Sequence, residues 1–191
     1  MDYDIGRRRN LNELKVLYDL GYQEVTKLET IEKVVKALGA VLVDVRFSPA
    51  SRNASFRKEY LQKKLGSGYL HVPDLGNSNY RGGEIKFVNI DAGANKIIEI
   101  LKNRPVILMC ACWKRTECHR LGIVNFMQEM YGVPSIPLTK ALSKEIVDQN
   151  NPTQFGLFDE MTEEEKVGDP DPRNWEPGDP GLAKATETPI A

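Results

Sequence analysis

The sequence predicts a single α/β domain, with a mainly parallel sheet flanked by helices, followed by an acidic tail. Short β-branched apolar runs, such as residues 41–45, alternate along the chain with segments whose apolar residues recur at helical spacing. The composition then changes near residue 158. A chain of 191 residues is long enough for one domain with a full core and a tail.

The elements follow one another along residues 1–158, the predicted domain. The spacing of Leu11, Leu14, Leu17 and Tyr18 predicts a first helix, and residues 31–38 predict a second helix that ends at Gly39. Residues 41–45 form a nearly continuous apolar run, which is typical of a strand buried on both faces. Further helices are expected over 56–65, 94–101 and 119–131, and further strands over 69–72, 106–109 and 135–138.

The net charge of −1 conceals an asymmetry between domain and tail. Residues 159–191 carry ten acidic and three basic residues, a net charge of −7, and five of the eleven prolines. The remaining 23 basic and 17 acidic residues give the domain a net charge of +6. We therefore expect a disordered, proline-rich acidic tail. The average charge does not argue against an anionic substrate or a nucleic acid as partner.

The composition excludes several classes of protein. No run approaches the roughly 18 apolar residues of a membrane span, and the first residues do not resemble a signal peptide. Three cysteines crowded into nine residues do not make a disulfide scaffold. We expect a reduced, cytoplasmic protein with no membrane partner, and the sequence leaves its oligomeric state open.

The richest chemistry follows the two strongest strands, where an open parallel sheet binds its ligands. Thiol, imidazole and guanidinium groups cluster there, and arginines would bind anionic oxygens while His119 or a cysteine serves as base or nucleophile. The predicted catalytic residues are Asp44, Arg46, Cys110, Cys118, His119 and Arg120. The predicted substrate-binding residues are Ser48, Ser51, Arg52, Tyr69, His71, Lys114 and Arg115.

Structural interpretations of the same residues stay open. Cys110 and Cys118 would then be small core residues, Asp44 and Arg46 an ion pair that fixes a loop, and Asn53 or Ser55 a helix cap.

A second catalytic interpretation rests on the spacing C-x4-R from Cys110 to Arg115. It resembles the loops of rhodaneses and low-molecular-weight phosphatases, in which a thiolate lies in a cradle of backbone N–H groups. Asp44-Val45-Arg46 likewise resembles the DVR strand of rhodaneses. The loop, however, contains Trp113 and lacks the glycines that help such a cradle to curl.

Zinc binding is a third interpretation. Its ligands would be Cys110, Cys112, Cys118 and His119. The spacing C-x-C-x5-C-H is tighter than that of typical zinc sites, and we expect the adjacent Cys118 and His119 to point in different directions. The sequence therefore requires no cofactor.

Taken in order, these segments resemble the family known as domain of unknown function 488. They are Val43-Asp44-Val45-Arg46 with Pro49 and Ser51-Arg52, Tyr69-x-His71 with Leu75-Gly76, Cys110-Ala111, and Cys118-His119-Arg120. The resemblance covers roughly residues 40–138. It implies a compact α/β fold with a polar pocket, an association with nucleotide or nucleic-acid metabolism, and no settled reaction. Cys112 stands where the family usually has Glu, which removes a candidate general acid.

A short motif precedes the acidic tail. Gln154, Leu157 and Phe158 form the pattern Q-x-x-L-F, similar to the bacterial peptide that binds the DNA sliding clamp. Leu157 and Phe158 could instead pack on the domain. Two functions are therefore predicted: a small enzyme acting on a nucleotide, nucleic acid or other phosphorylated substrate, or a non-catalytic adaptor that docks on a sliding clamp.

Overall fold

The computed structural model describes residues 14–25 and 27–150. Five strands and five helices alternate within them: β1 Leu17–Gly21, α1 Leu28–Leu38, β2 Val41–Asp44, α2 Lys58–Leu65, β3 Tyr69–His71, α3 Ile90–Leu101, β4 Val106–Cys110, α4 His119–Tyr131, β5 Ser135–Pro137 and α5 Lys140–Gln149. The Gln154–Leu157–Phe158 motif, the domain boundary at residue 158 and the acidic tail lie outside the described residues and stay predictions. Over the same ranges, no helix has the length and apolarity needed to cross a membrane.

The five strands form one parallel sheet in the order β3-β2-β4-β1-β5. The predicted α/β class is therefore confirmed. Because β2 lies next to β4, with Asp44 beside Met109, the carboxyl ends of the two strongest predicted strands are neighbours. The chemistry that follows each strand is thus brought to one edge of the sheet.

Side chains of the central strands alternate between two apolar layers. Val106 and Leu108 of β4 pack in the layer that contains α3 and α4, whereas Ile107 and Met109 pack in the layer that contains α1 and α5. In β2, Leu42 packs in the layer with α1 and α5, whereas Val41 and Val43 pack in the layer with α3 and α4. Both faces of these strands are buried, which is why their sequences are apolar runs without polar alternation.

Several predicted helix ends agree with the structure. Gly39 ends α1 with a φ of 59°, and Gly132 ends α4, which spans residues 119–131 as predicted. Asn53 caps a 3-10 turn at Ala54–Phe56 by accepting a hydrogen bond from the Ser55 N–H. The helix expected from residue 56 accordingly begins two residues later, at Lys58.

The first predicted helix is wrong within the described residues, because Leu17–Gly21 is the strand β1. This strand lies between β4 and β5, and Leu17 and Leu20 point into opposite apolar layers. The spacing of Leu14, Leu17 and Tyr18 fits a helix, but pairing with two neighbouring strands decides the local structure. The final helix, α5, was not predicted.

Gly21 lies where β1 meets the loop after β4, and a side chain does not fit there. A Cβ atom would collide with the carbonyl oxygen of Cys112 and lie 3.0 Å from Nη1 of Arg120. We expect Gly21→Ala to lower the free energy of unfolding by about 1–3 kcal/mol in urea denaturation. Gly68→Ala is the control, since its Cβ meets nothing closer than 3.6 Å. Equal stability of the two variants would contradict this packing.

Candidate functional site

A cavity of about 430 Å³ lies at the carboxyl edge of the sheet. Of the residues singled out in the sequence, five line it: Arg46, Ser48, Cys110, Cys112 and His119. The remaining lining residues were not predicted, and they are Tyr22, Phe47, Ala50, Asn77, Tyr80, Ile85, Ala111 and Glu117. Most of them come from loops after β1, β2 and β3, which only the fold brings together.

Asp44 is fully buried behind Arg46 and does not line the cavity. Its carboxylate accepts hydrogen bonds from Arg46 Nε at 2.8 Å, Arg46 Nη2 at 2.5 Å and the Tyr69 hydroxyl at 2.9 Å. Burial and the charge of Asp44 raise the pKa of Tyr69, so this hydroxyl keeps its proton and donates a hydrogen bond to the carboxylate. The structure thus shows the ion pair that fixes the loop, and a catalytic role for Asp44 stays a prediction.

Three of the predicted substrate-binding residues support this loop and do not line the cavity. His71 Nε2 donates to the Arg46 carbonyl at 2.9 Å, Tyr69 bonds Asp44, and the Ser51 Oγ lies 3.3 Å from the Tyr22 hydroxyl. Arg52 is exposed and also lies outside the lining. Substrate binding by these four residues stays a prediction without support from cavity contacts.

Asp19 is a buried carboxylate in the middle of β1 that was not among the predicted site residues. It accepts hydrogen bonds from Arg115 Nε and Arg120 Nε, both at 2.9 Å, and from the Ser135 hydroxyl at 2.9 Å. Both predicted anion-binding arginines after β4 are therefore engaged in an internal ion-pair network. The acidic residue among the apolar residues of Leu17–Gly21 is the signal that indicates it, but the helical spacing of Leu14, Leu17 and Tyr18 favours a helix just before it.

Lys114 also binds a carboxylate, but at the surface. Its Nζ lies 2.8 Å from Glu117 Oε1, and both side chains are more than half exposed. Lys114 and Glu117 line a second, smaller cavity with Cys112 and Trp113. Lys114 itself does not line the cavity with Arg46, although Cys112 and Glu117 line both cavities, and substrate binding by Lys114 stays a prediction.

Cys110 and His119 form a hydrogen-bonded pair at the cavity. The Nε2 atom of His119 lies 2.8 Å from the carbonyl oxygen of Val45, which only accepts, so Nε2 carries the ring proton. In the neutral ring, Nδ1 then holds a lone pair, and it lies 3.7 Å from Cys110 Sγ. The thiol of Cys110 therefore has a proton acceptor with a fixed orientation.

The three cysteines converge on one point. Cys110 Sγ lies 3.7 Å from Cys112 Sγ, and all three sulfur atoms lie within 4.8 Å of one another. Cys118 and His119 were expected to point in different directions, and the structure shows that each of them approaches Cys110, although His119 does not lie within 4.8 Å of all three sulfurs. Cys118 has an extended backbone before α4 and His119 is the first helical residue, so the change of conformation between them turns both side chains toward Cys110.

The surroundings concentrate negative charge on Cys110. Hydrogen bonds from the thiols of Cys112 and Cys118 lower the pKa of Cys110. The Cys112 N–H and the positive charge of Arg120 lower it further, whereas burial raises it. The pKa values of Cys112 and Cys118 are raised, mainly because each donates to Cys110. Burial lowers the pKa of His119, which keeps the ring neutral.

The family model described as "Domain of unknown function DUF488" matches residues 27–127, more than half of the chain. The chain belongs to this family. No curated protein and no solved structure matches it.

The DUF488 match contains β2, β3, β4 and the start of α4, and so all four residues of the Cys/His cluster. Asp19 in β1 and Ser135 in β5 lie outside it. The matched region thus holds the cavity-facing thiols of this DUF488 protein, whereas part of the buried network beneath them comes from strands outside the match.

Proposed function

We propose that this DUF488 protein is a small enzyme that transfers a group through a covalent intermediate on Cys110. The observation that carries the proposal is the 3.7 Å contact between Cys110 Sγ and His119 Nδ1 at a cavity large enough for a small molecule. The hydrogen bond to the Val45 carbonyl fixes the tautomer of His119. In a catalytic triad, the third group orients the base in the same way.

The reaction we propose has two steps. His119 Nδ1 takes the proton of the Cys110 thiol, and the thiolate attacks the electrophilic atom of the substrate. A bond from sulfur to that atom forms while the bond to the leaving group breaks, and the leaving group takes the proton from His119. Water or a second acceptor then attacks the intermediate, transfers its proton to His119 and releases Cys110.

Arg46 supports an anionic or oxygen-rich substrate, as a nucleotide or another phosphorylated compound would be. It lines the cavity, and its buried Nη1 has no hydrogen-bond partner among the described residues. Phe47 and Tyr80 add an aromatic wall, with ring centroids 5.8 Å apart. Arg46, Arg115 and Arg120 are all paired with a buried carboxylate, but only Arg46 lines the cavity, so we assign recognition of the anionic group to Arg46.

The experiment offers the metal-free protein three electrophiles of different classes: p-nitrophenyl acetate, p-nitrophenyl phosphate and thiosulfate. Attack by Cys110 would give an acetylated, phosphorylated or persulfide-bearing cysteine, with p-nitrophenolate or sulfite as leaving group. We expect intact-mass analysis and peptide mapping to find an adduct on Cys110 with at least one probe. The adduct should persist in Cys112→Ser and be absent from Cys110→Ser. If no probe modifies Cys110, the proposed function is wrong.

A further inference from the structure

We propose that Cys110, Cys112, Cys118 and His119 also form a binding site for a soft divalent metal ion of the zinc class. The four donors are three sulfur atoms within 4.8 Å of one another and the imidazole Nδ1 that faces Cys110. This site goes beyond the proposed thiol chemistry, because a metal ion on Cys110 occupies the sulfur that the reaction needs.

Two of the distances between the donor atoms match those of a tetrahedral ion. With Zn–S bonds of about 2.3 Å and a Zn–N bond of about 2.0 Å, tetrahedral angles place two sulfurs about 3.8 Å apart and a sulfur and a nitrogen about 3.5 Å apart. The structure has 3.7 Å between the sulfurs of Cys110 and Cys112, and 3.7 Å between Cys110 Sγ and His119 Nδ1. These two edges need to change by only a few tenths of an ångström, whereas His119 Nδ1, which is not within 4.8 Å of all three sulfurs, has to move toward Cys112 or Cys118 to complete the tetrahedron.

The surroundings of the donors favour metal binding as well. A histidine that binds metal through one nitrogen usually donates its other N–H to a carbonyl or carboxylate, and His119 donates to Val45. Backbone N–H groups of Cys112 and Arg120 point to the sulfurs of Cys110 and Cys118, where they would stabilise thiolates. Three thiolates and one divalent ion leave a net charge of −1. The positive charge of the Arg120 guanidinium, which already stabilises the thiolate of Cys110, would partly balance it.

The donor set selects the kind of ion. Thiolate sulfur and imidazole nitrogen in tetrahedral arrangement suit Zn²⁺, whereas Mg²⁺ and Ca²⁺ prefer oxygen ligands. The two buried carboxylates nearby are not available, because Asp19 and Asp44 are engaged by arginines. The metal-bound protein would have no free thiolate at Cys110, so the ion would act as a reversible inhibitor.

The test titrates Co²⁺ into the reduced, metal-free, full-length protein. We expect one ion per chain, with the thiolate-to-cobalt charge-transfer bands and the strong visible bands of a tetrahedral site, all displaced by Zn²⁺. Cys112→Ser keeps the buried core intact, because Cys112 is only half buried, and it should weaken binding at least tenfold, as should His119→Ala. His71→Ala is the matched control and should bind as the wild type does. Absence of the charge-transfer bands, or affinity unchanged in Cys112→Ser, would overturn the site.

The two proposals fail separately. Zn²⁺ should protect Cys110 from iodoacetamide in the wild type, and a chelator should restore labelling. If Co²⁺ does not bind while Cys110 still forms an adduct with an electrophile, the metal site is wrong and the thiol enzyme stands. If Co²⁺ binds with the expected spectrum while no electrophile modifies Cys110, the metal site stands alone.

Discussion

Replacing Asp19 with alanine is expected to lower the free energy of unfolding by about 3–5 kcal/mol. The carboxylate is fully buried and bonds the guanidinium groups of Arg115 and Arg120, and Arg120 is itself buried. Without Asp19, the charge of Arg120 would lie in the core with no described acidic partner. Among the described residues, Arg120 Nη1 already lacks a hydrogen-bond partner, so loss of Asp19 would leave a second nitrogen of this buried guanidinium unpaired.

Equilibrium denaturation in urea measures this effect, with Glu117→Ala as the control. Glu117 also forms an ion pair, with Lys114, but both side chains are largely exposed. Replacing Glu117 should therefore not change the free energy of unfolding measurably. If Asp19→Ala and Glu117→Ala have the same free energy of unfolding, the buried network around Asp19 does not stabilise the fold.

Replacing His119 with alanine is expected to slow alkylation of Cys110 at pH 7 by about tenfold or more. The neighbouring cysteines lower the pKa of Cys110, but its thiol still needs an acceptor for its proton, and His119 Nδ1 is the acceptor that lies 3.7 Å from Cys110 Sγ. The rate is measured with iodoacetamide in the presence of a chelator, by mass spectrometry of the Cys110 peptide.

His71→Ala provides the comparison, because His71 is the other histidine of the chain and bonds the Arg46 carbonyl. We expect Cys110 in this variant to react at the wild-type rate. Circular dichroism and thermal unfolding check that both variants are folded. Equal loss of reactivity in the two variants would indicate a general effect of the loops, and an unchanged rate in His119→Ala would remove the proposed proton acceptor.

The parallel sheet could be predicted because its central strands carry a signal that does not depend on context. Residues 41–45 and 106–109 are short, apolar and β-branched, as burial on both faces requires. β1 carries a weaker signal, since Leu14, Leu17 and Tyr18 also fit a helical spacing and Asp19 interrupts the run. Its structure depends on pairing with β4 and β5, which a local pattern does not contain.

The candidate site was predictable to a similar degree. Its place at the ends of β2 and β4 follows from the topology of parallel sheets, and Cys110 and His119 lie there. Which charges are internally paired was not predictable, because Asp19 lies almost a hundred residues before Arg115 in the chain. Nor does spacing show that Cys118 and His119 both approach Cys110, since this depends on the backbone conformation just before α4.

The central claim is that the chemistry of the cavity resides on Cys110, and competition among the three cysteines tests it most directly. Cys110 is only 3% exposed, whereas Cys112 is half buried, so accessibility alone favours Cys112. With substoichiometric iodoacetamide on the reduced, metal-free wild type at pH 7, we predict that most of the label lies on Cys110. Label mainly on Cys112, or equally on both, would contradict the account.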